Sequence, residues 1–242
     1  MRIALISDIH GNLEAFRQVL ADIDRLEIAT IFSLGDIVGY GPDPEQVVNE
    51  LRARQIVSVK GNHELALSSP RYFLKINPSA QQSILITKKM LSGANKRYLE
   101  SLETFTVFQG ARFVHGCPPE SITTYLFNPS SMQLNALFSF FSEKICFIGH
   151  THYLNLFSFD GDISLREELT AGIISLAEGK RYIINIGSVG QPRDRQNNNA
   201  KYVIWDANEN TLEVRFIPYD ISITATKILK RGFPEGNATR LW

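Results

Sequence analysis

Residues 2–26 of the chain, RIALISDIHGNLEAFRQVLADIDRL, decide the fold. The segment 2–7 is a short apolar run that ends at a polar pair, which is typical of a buried strand. Asn12 follows as a helix cap. The apolar residues after it recur at the spacing of one helix face: Leu13, Phe16, Leu20, Ile23 and Leu26. The stretch therefore predicts a strand that leads directly into a helix.

The same alternation of strand and helix continues along the chain. Residues 30–34 predict a second strand, Asp43 and Pro44 predict the capped start of a second helix, and residues 56–60 predict a third strand. This order indicates a parallel sheet with helices packed on it.

The middle and the end of the chain differ in pattern. Predicted helices begin at Asn77, at Ser92 and at Ser130 or Ser131, and a predicted hairpin turns at Gly110. Later strands are predicted over 144–148, 154–159, 181–186, 201–207 and 211–217, with a short helix over 220–231. The sequence has no internal repeat, Gly/Ser linker or block of charge, so we expect one domain over residues 1–242.

Composition excludes several classes of function. The 25 basic residues are balanced by 25 acidic ones, and a net charge of zero argues against a long nucleic acid as partner. The two cysteines, Cys117 and Cys146, are too few for a disulfide framework and favour a reducing compartment. The sequence has neither the apolar core of a signal peptide nor a run of roughly 18 apolar residues that could cross a membrane. We expect a soluble, cytoplasmic protein that binds no membrane.

Five short segments carry the candidate chemistry, and each consists of an apolar strand followed by a polar turn. Four of them contain all five histidines: His10 in residues 6–10, His63 in 59–64, His115 in 113–116, and His150 and His152 in 148–152. The fifth, residues 34–39, has an aspartate in the same place. Groups at the carboxyl ends of strands in an open α/β sheet converge on one crevice. Carboxylates, an asparagine and imidazoles that meet there would bind a borderline or hard divalent ion.

The spacing within these segments also fits a metal site. Asp8 and His10 are two residues apart, so on an extended backbone both side chains project from the same face, and His150 and His152 repeat that geometry. Glycines at positions 35, 61, 116 and 149 allow a close approach of the backbone. Two ions about 3.5–4 Å apart need a bridging carboxylate, and Asp36 is the best candidate.

Each of these residues also fits a structural role on its own. A single histidine on an apolar run is usually a hydrogen-bonded core residue, Asp36 can cap a turn, and Asn62 can stabilise a loop. Five ordered segments that together contain every histidine are hard to explain by core packing. The combination therefore favours the metal site.

In their order, the motifs Asp-x-His, Gly-Asp, Gly-Asn-His-Glu, a later strand-end His and Gly-His-Thr-His resemble those of the calcineurin-like metallophosphoesterase superfamily. The resemblance covers residues 8 to 152. The segment 185–194, together with Tyr219 and Asp220, is similar to small bacterial, phosphodiesterase-like members. The resemblance implies an α/β fold, a four-layer αββα sandwich of two mixed β-sheets flanked by helices.

The resemblance also implies two divalent metal ions and the residues that bind them. One ion would be held by Asp8, His10, Asp36 and His152, and the other by Asp36, Asn62, His115 and His150. His63 matches the family's histidine that binds no metal but faces the phosphate. A hydroxide bridging the ions would attack phosphorus, which makes Asp36, Asn62 and His63 the predicted catalytic residues. Mn²⁺, Fe²⁺ or Fe³⁺, Zn²⁺ and Ni²⁺ all accept such ligands, so the identity of the metal stays open.

The chain departs from the family's phosphoprotein phosphatases directly after Asp36. In those phosphatases the motif continues as x-Val-Asp-Arg-Gly. Its arginine binds the phosphate, and its aspartate orients the histidine. In this chain the corresponding residues, 37–41, are Ile-Val-Gly-Tyr-Gly. Without that arginine a monoester dianion loses a bidentate partner, so a phosphodiester or phosphoanhydride is the favoured substrate. Arg193 or Arg195 can replace the charge or can be solvated loop residues. A phosphomonoesterase or Ser/Thr phosphoprotein phosphatase is therefore the alternative, and a non-catalytic scaffold is a third.

Aromatic residues suggest which kind of group the substrate carries. Those in polar or turn-like segments are Tyr40, Tyr72, Phe73, Tyr125 and Phe127, and they can form a wall for a nucleobase or another leaving group. The predicted substrate contacts are Tyr40, Asn62, His63 and Arg193. We expect a small, nucleotide-type phosphate ester as the partner, and the oligomeric state stays open.

Overall fold

The alternation of strand and helix expected at the start of the chain is present in the computed structural model, which describes residues 1–194 and 196–242. Arg195, one of the two arginines expected near the phosphate, lies outside the described residues. In chain order the elements are β1 (Arg2–Ile6), α1 (Leu13–Arg25), β2 (Thr30–Ser33), α2 (Pro44–Ala53), β3 (Val57–Ser58), α3 (Asn62–Ser68), α4 (Pro70–Phe73), α5 (Pro78–Met90), α6 (Gly93–Glu100), β4 (Phe105–Phe108), β5 (Ala111–Val114), α7 (Ser131–Ser139), β6 (Ile145–Ile148), β7 (Leu154–Phe159), β8 (Ser164–Glu168), β9 (Gly172–Ser175), β10 (Arg181–Ile186), β11 (Ala200–Asp206), β12 (Thr211–Ile217), α8 (Ile221–Lys230) and α9 (Glu235–Thr239).

The strands form two six-stranded mixed sheets. The first has the order β3-β2-β1-β11-β12-β9, and the second has the order β4-β5-β6-β10-β7-β8. β1, β2 and β3 run parallel to one another, as do β5, β6 and β10. In each sheet the carboxyl ends of these parallel strands therefore lie at the same edge. The candidate site residues come directly after those strand ends.

Alternation along β1 shows how the layers pack. Ile3 and Leu5 point between the two sheets, whereas Ala4 and Ile6 point into the core under α1 and α2. On the outer side of the second sheet, Phe138 of α7 packs into a third apolar cluster. The two sheets thus lie face to face with helices outside each, and the predicted mixed-sheet α/β fold is confirmed.

Most predicted elements are confirmed within a residue or two, and the exceptions are few. The third strand is only two residues long, and the elements α3, α4, α9, β8 and β9 were not expected. β8 reads SLREE, and four of its five side chains are exposed, so it lacks the apolar pattern of a strand.

Asp43 does stand before α2, but its carboxylate makes no capping bond. It pairs with Lys227 and Arg231 of the α8 region instead, at 3.0 and 2.8 Å. Within the described residues, the helices are too short or too polar for any to cross a bilayer.

Candidate metal centre

The seven predicted metal ligands come together at the shared edge of the two sheets. Asp8 and His10 follow β1, Asp36 follows β2, and His115 follows β5. Asn62 begins α3. His150 and His152 follow β6, and all seven side chains are buried. Residues that are 142 positions apart in the chain, such as His10 and His152, are in contact here.

A first group of donor atoms forms around His152. Its Nε2 lies 3.1 Å from Nε2 of His10 and 3.2 Å from Oδ1 of Asp8. Oδ1 of Asp8 and Oδ2 of Asp36 lie 3.7 and 3.8 Å from the same His10 nitrogen. These four side chains are the set that the family resemblance implies for one ion.

A second group forms around His115. Its Nε2 lies 3.1 Å from Nδ1 of His150, 3.2 Å from Oδ1 of Asn62 and 3.4 Å from Oδ2 of Asp36. Asp36 therefore contributes the same oxygen, Oδ2, to both groups. This second set matches the one that the resemblance implies for the other ion.

The proton positions of the imidazoles test whether a cation fits. Nδ1 of His10, His152 and His115 faces the carbonyl oxygens of Val38, Gln191 and Leu34 at 3.2, 2.6 and 2.7 Å. A neutral ring so placed carries its proton on Nδ1 and presents a lone pair at Nε2. The Nε2 lone pairs of His10 and His152 then face each other at 3.1 Å without a proton between them. A cation between such donors replaces a repulsive contact by two attractive ones, so the donor set fits a metal ion.

The two carboxylate oxygens of Asp8 have different surroundings. Asp8 uses Oδ2 to accept hydrogen bonds from the Ser7 hydroxyl at 2.6 Å and from the His150 backbone N–H at 3.0 Å. Its Oδ1 is buried and accepts no hydrogen bond from the described residues. A buried carboxylate oxygen without a donor is costly unless a cation is nearby.

Burial keeps most histidines of the centre neutral, and the neutral imidazole is the form that binds a metal ion. Burial lowers the pKa of His10, His63 and His152, and together with the neighbouring His115 it lowers the pKa of His150 to about 3. His115 is the exception. Burial opposes protonation there too, but the carboxylate of Asp36 raises its pKa to about 9. In the absence of a metal ion, His115 therefore carries a proton beside the carboxylate of Asp36.

The backbone at the site is not extended, and the expected same-face geometry of Asp8 with His10 and of His150 with His152 is wrong. These four residues have φ values of 53°, 51°, 68° and 64°, and Asp36 has 50°. Left-handed backbone is uncommon for residues with a Cβ and concentrates at functional sites. The side chains meet because the chain turns sharply at each of them, not because they alternate along a strand.

Glu64 organises the loop after β2, and no specific role was expected for it. Its two carboxylate oxygens accept four backbone N–H groups: those of Asp36, Ile37, Val38 and Gly61. Burial raises the pKa of Glu64 to about 7, and the charge of Asp36 adds to the rise, whereas the four N–H donors favour the ionised form. Glutamate three residues after Gly61, at the start of a helix, is the sequence signal that could have revealed it.

His63 lies against the centre, and a nitrogen of its ring lies within 4.8 Å of donor atoms of His10 and Asp36. Its ring packs edge-on to Tyr40 and His10, with centroids 4.5 and 4.7 Å away, and its Nε2 is 3.9 Å from Oδ2 of Asp36. Nδ1 is buried and has no hydrogen-bond partner among the described residues. A Cβ on Gly39 would stand 2.0 Å from that nitrogen. Aromatic packing and the close approach of Gly39 therefore position the ring.

Most of the aromatic residues expected to contact the substrate lie around one cavity beside the centre. Tyr40, Tyr72 and Tyr125 line a cavity of about 230 Å³ together with Asn62 and His63. Tyr125 also stacks on the ring of His150, with centroids 3.6 Å apart, and Phe127 stacks on Tyr125. Phe73 does not line this cavity.

Arg193 lies beside the first donor group. Its backbone N–H donates to the carbonyl of His152 at 3.2 Å, and its Nη2 donates to Oε1 of Gln191 at 2.6 Å. Its Nε is buried and unpaired within the described residues. A guanidinium with a free donor is therefore held at the edge of the site.

Comparison with known proteins identifies the family of the chain. A sequence profile described as the calcineurin-like phosphoesterase superfamily domain matches residues 1–210. An uncharacterized protein of Methanocaldococcus jannaschii is 39% identical over 246 residues, which cover 99% of this chain and 97% of that one.

Two solved structures extend the similarity to three dimensions. The metallophosphoesterase from Sphaerobacter thermophilus is 33% identical, with a TM-score of 0.85 over 100% of this chain and 98% of its own. A hypothetical protein from Pyrococcus horikoshii OT3 shares the fold at 18% identity, with a TM-score of 0.81 over 100% of this chain and 97% of its own. The resemblance drawn from the five motifs is thereby confirmed, and the chain belongs to the calcineurin-like phosphoesterase superfamily.

Proposed function

We propose that the protein is a phosphoester hydrolase that uses two divalent metal ions and acts on a phosphodiester or phosphoanhydride of a small, nucleotide-type substrate. The convergence of seven donor side chains in two groups that share Oδ2 of Asp36 carries this proposal. One ion would be held by Asp8, His10, Asp36 and His152. The other would be held by Asp36, Asn62, His115 and His150. When bound, such ions lower the pKa of water and offset charge on phosphoryl oxygens.

The protein's own groups orient the ligands and exclude water. The carbonyls of Val38, Gln191 and Leu34 hold the protons of three imidazoles on Nδ1, so that Nε2 is left to face the centre. These imidazoles belong to His10, His152 and His115. Complete burial of the donors removes competing hydrogen bonds from solvent, which strengthens every electrostatic interaction in the site.

His63 is the proposed group that acts on the leaving oxygen. Its Nε2 lies 3.9 Å from Oδ2 of Asp36, and His63 lines the cavity together with Tyr40, Asn62 and Tyr72. An imidazole there can donate a hydrogen bond to a phosphoryl or leaving-group oxygen. Asn62 supplies an amide at the same wall of the cavity.

The loop after Asp36 supports the preference for a diester or anhydride. Residues 37–41 contain no cationic side chain, and Glu64 occupies the backbone N–H groups of Ile37 and Val38. This loop therefore offers neither a guanidinium nor free N–H donors from those two residues to a phosphate dianion.

The position of Arg193 favours a second candidate, a phosphomonoesterase. Its backbone is bonded to His152, and its Nε has no partner among the described residues, so it can donate to a phosphate oxygen. A guanidinium from this later loop would supply the charge that residues 37–41 lack.

Hydrolysis rates on a substrate panel test both candidates. The purified protein would be loaded in turn with Mn²⁺, Fe²⁺, Zn²⁺ and Ni²⁺ and given p-nitrophenyl phosphate, bis(p-nitrophenyl) phosphate, cyclic nucleotides, dinucleoside polyphosphates and a phosphopeptide. We expect faster hydrolysis of the diesters and anhydrides than of the monoester and the phosphopeptide. The reverse order would favour the phosphomonoesterase, and absence of hydrolysis with every metal would leave a non-catalytic scaffold.

A further inference from the structure

A cleft of about 500 Å³ opens beside the centre, on the side of Arg193. Its lining includes Tyr153, Arg193, Asn197, Asn198, Arg240 and Trp242. These residues come from the turn after His152, from the loop before β11 and from the chain after α9. A volume of this size lies within the range of small-molecule sites, roughly 300–1,000 Å³.

The cleft is joined to the first donor group through two residues. His152 directs Nδ1 at the carbonyl of Gln191 at 2.6 Å, and its own carbonyl accepts the backbone N–H of Arg193 at 3.2 Å. A ligand in the cleft can therefore be continuous with a phosphate at the centre.

Two basic side chains line the cleft. Neither Arg193 nor Arg240 forms an ion pair with any described residue, and the described lining residues include no Asp or Glu. Asp194, the carboxylate next to Arg193 in sequence, pairs instead with the buried Lys201 at 2.9 Å. By contrast, Arg231 pairs with Asp43. Two unpaired guanidinium groups beside one cavity are suited to phosphate oxygens.

The rest of the lining is suited to a planar group. Trp242 is 66% exposed, and Asn198 donates a hydrogen bond of 2.6 Å to its carbonyl oxygen, which ties Trp242 to the loop before β11. Tyr153 contacts Phe127 edge-on, so the aromatic wall continues from Tyr125 at the centre into the cleft. Aromatic rings beside cationic groups bind a base and its phosphates together.

We propose that this cleft binds a nucleoside diphosphate portion of the substrate, with its phosphates on Arg193 and Arg240 and its base against Tyr153 and Trp242. The proposal rests on the proposed function, since it assigns the part of the substrate that lies beyond the scissile phosphate. It adds a specific chemical class: a substrate with phosphate charge on both sides of the bond that is cleaved, attached to a nucleoside.

Binding of two non-hydrolysable diphosphates tests it. Calorimetry on the Mn²⁺-loaded full chain would compare α,β-methylene-ADP, which carries a nucleoside, with methylenediphosphonate, which does not. Arg240→Gln should weaken both ligands about tenfold, because each loses one charge-assisted contact. Trp242→Ala should weaken α,β-methylene-ADP about fivefold and change methylenediphosphonate by less than twofold. Arg97→Gln, which removes an exposed arginine of α6 that does not line the cleft, is the matched control and should change neither.

The outcomes separate this proposal from the proposed function. Unchanged affinity in Arg240→Gln relative to Arg97→Gln, or equal effects of Trp242→Ala on both ligands, would overturn the cleft assignment. Hydrolysis of bis(p-nitrophenyl) phosphate, which has no second phosphate, is measured in the same preparations and should be unchanged in Arg97→Gln. If that diester and all other phosphoesters resist hydrolysis while the binding results are as expected, the hydrolase proposal fails and the cleft assignment is supported.

Discussion

The backbone N–H of His63 donates a hydrogen bond of 2.8 Å to Oδ1 of Asp36. The other oxygen of that carboxylate, Oδ2, lies 3.4 Å from Nε2 of His115 and 3.8 Å from Nε2 of His10. One side chain thus fixes the start of α3, which carries His63, and faces both donor groups. The histidine proposed to act on the substrate is therefore positioned by the residue proposed to be shared by the two ions.

Replacement of the shared carboxylate should remove metal without unfolding the helix start. In Asp36→Asn the amide oxygen can still accept the His63 N–H, but the charge that faces both donor groups is gone. We expect fewer than one ion per chain and a loss of turnover on the order of a thousandfold. Elemental analysis and steady-state kinetics measure both. Asp162→Asn, in an exposed turn, is the control, and retention of two ions in Asp36→Asn would contradict the shared role.

Removal of the His63 ring should affect turnover and not metal content. In His63→Ala we expect a fall in kcat on the order of a hundredfold, because a hydrogen-bond donor near the reacting phosphate is lost, while the metal content stays equal to that of the unaltered protein. Kinetics and elemental analysis on one preparation decide this.

A second variant moves the ring of His63 and leaves the histidine itself in place. Gly39→Ala would place a Cβ 2.0 Å from Nδ1 of His63, at a backbone φ of +87°. The ring must move, so kcat should fall in the same direction with metal retained. Loss of metal in His63→Ala, or full activity in Gly39→Ala, would show that His63 has a different role.

Glu64 should contribute to stability more than to metal binding. In Glu64→Gln an NH₂ group replaces one carboxylate oxygen and faces two of the four backbone N–H donors. We expect the free energy of unfolding to fall by about 2–3 kcal/mol, the cost of unsatisfied buried donors. Urea denaturation in EDTA measures it without the contribution of bound metal. Glu100→Gln on exposed α6 surface should change little, and an equal loss in both variants would refute the role of the buried carboxylate.

Asp22 should make stability depend on pH in the acid range. Burial raises the pKa of this carboxyl, but hydrogen bonds from Arg215, Tyr202 and Arg25 outweigh burial and lower it from 3.8 to about 2. A depressed pKa stabilises the fold above pH 4, and this contribution, about 2 kcal/mol, is lost as the pH falls from 4 to 2. The difference in unfolding free energy between the unaltered protein and Asp22→Asn should shrink over that window. A difference that stays constant from pH 6 to pH 2 would contradict the assignment.

The strand–helix alternation and the order of the motifs were predictable because they depend on local patterns. Ile3 to Ile6 alternate between two buried faces, and Asn12 caps α1 as its position predicted, because its side-chain oxygen accepts a hydrogen bond from the N–H of Ala15. The charged strand β8 and the exposed β9 escaped prediction because their pairing depends on neighbouring strands rather than on their own composition.

The candidate site was predictable in its residue types but not in its backbone. Asp-x-His identified Asp8 and His10, yet both adopt left-handed φ values that no residue pattern required. The link from Glu64 to the loop after β2 joins segments 26–28 residues apart, and it exists only once the sheet edge has formed. The lone pairs at Nε2 likewise depend on carbonyl groups of distant loops, such as Leu34 for His115.

Anomalous diffraction from crystals of the Mn²⁺-loaded protein tests the central claim most directly. The account predicts two manganese peaks on opposite sides of the Asp36 carboxylate, one among Asp8, His10 and His152 and the other among Asn62, His115 and His150. A single peak, or metal bound only at surface carboxylates while these histidines keep their contacts to one another, would contradict it.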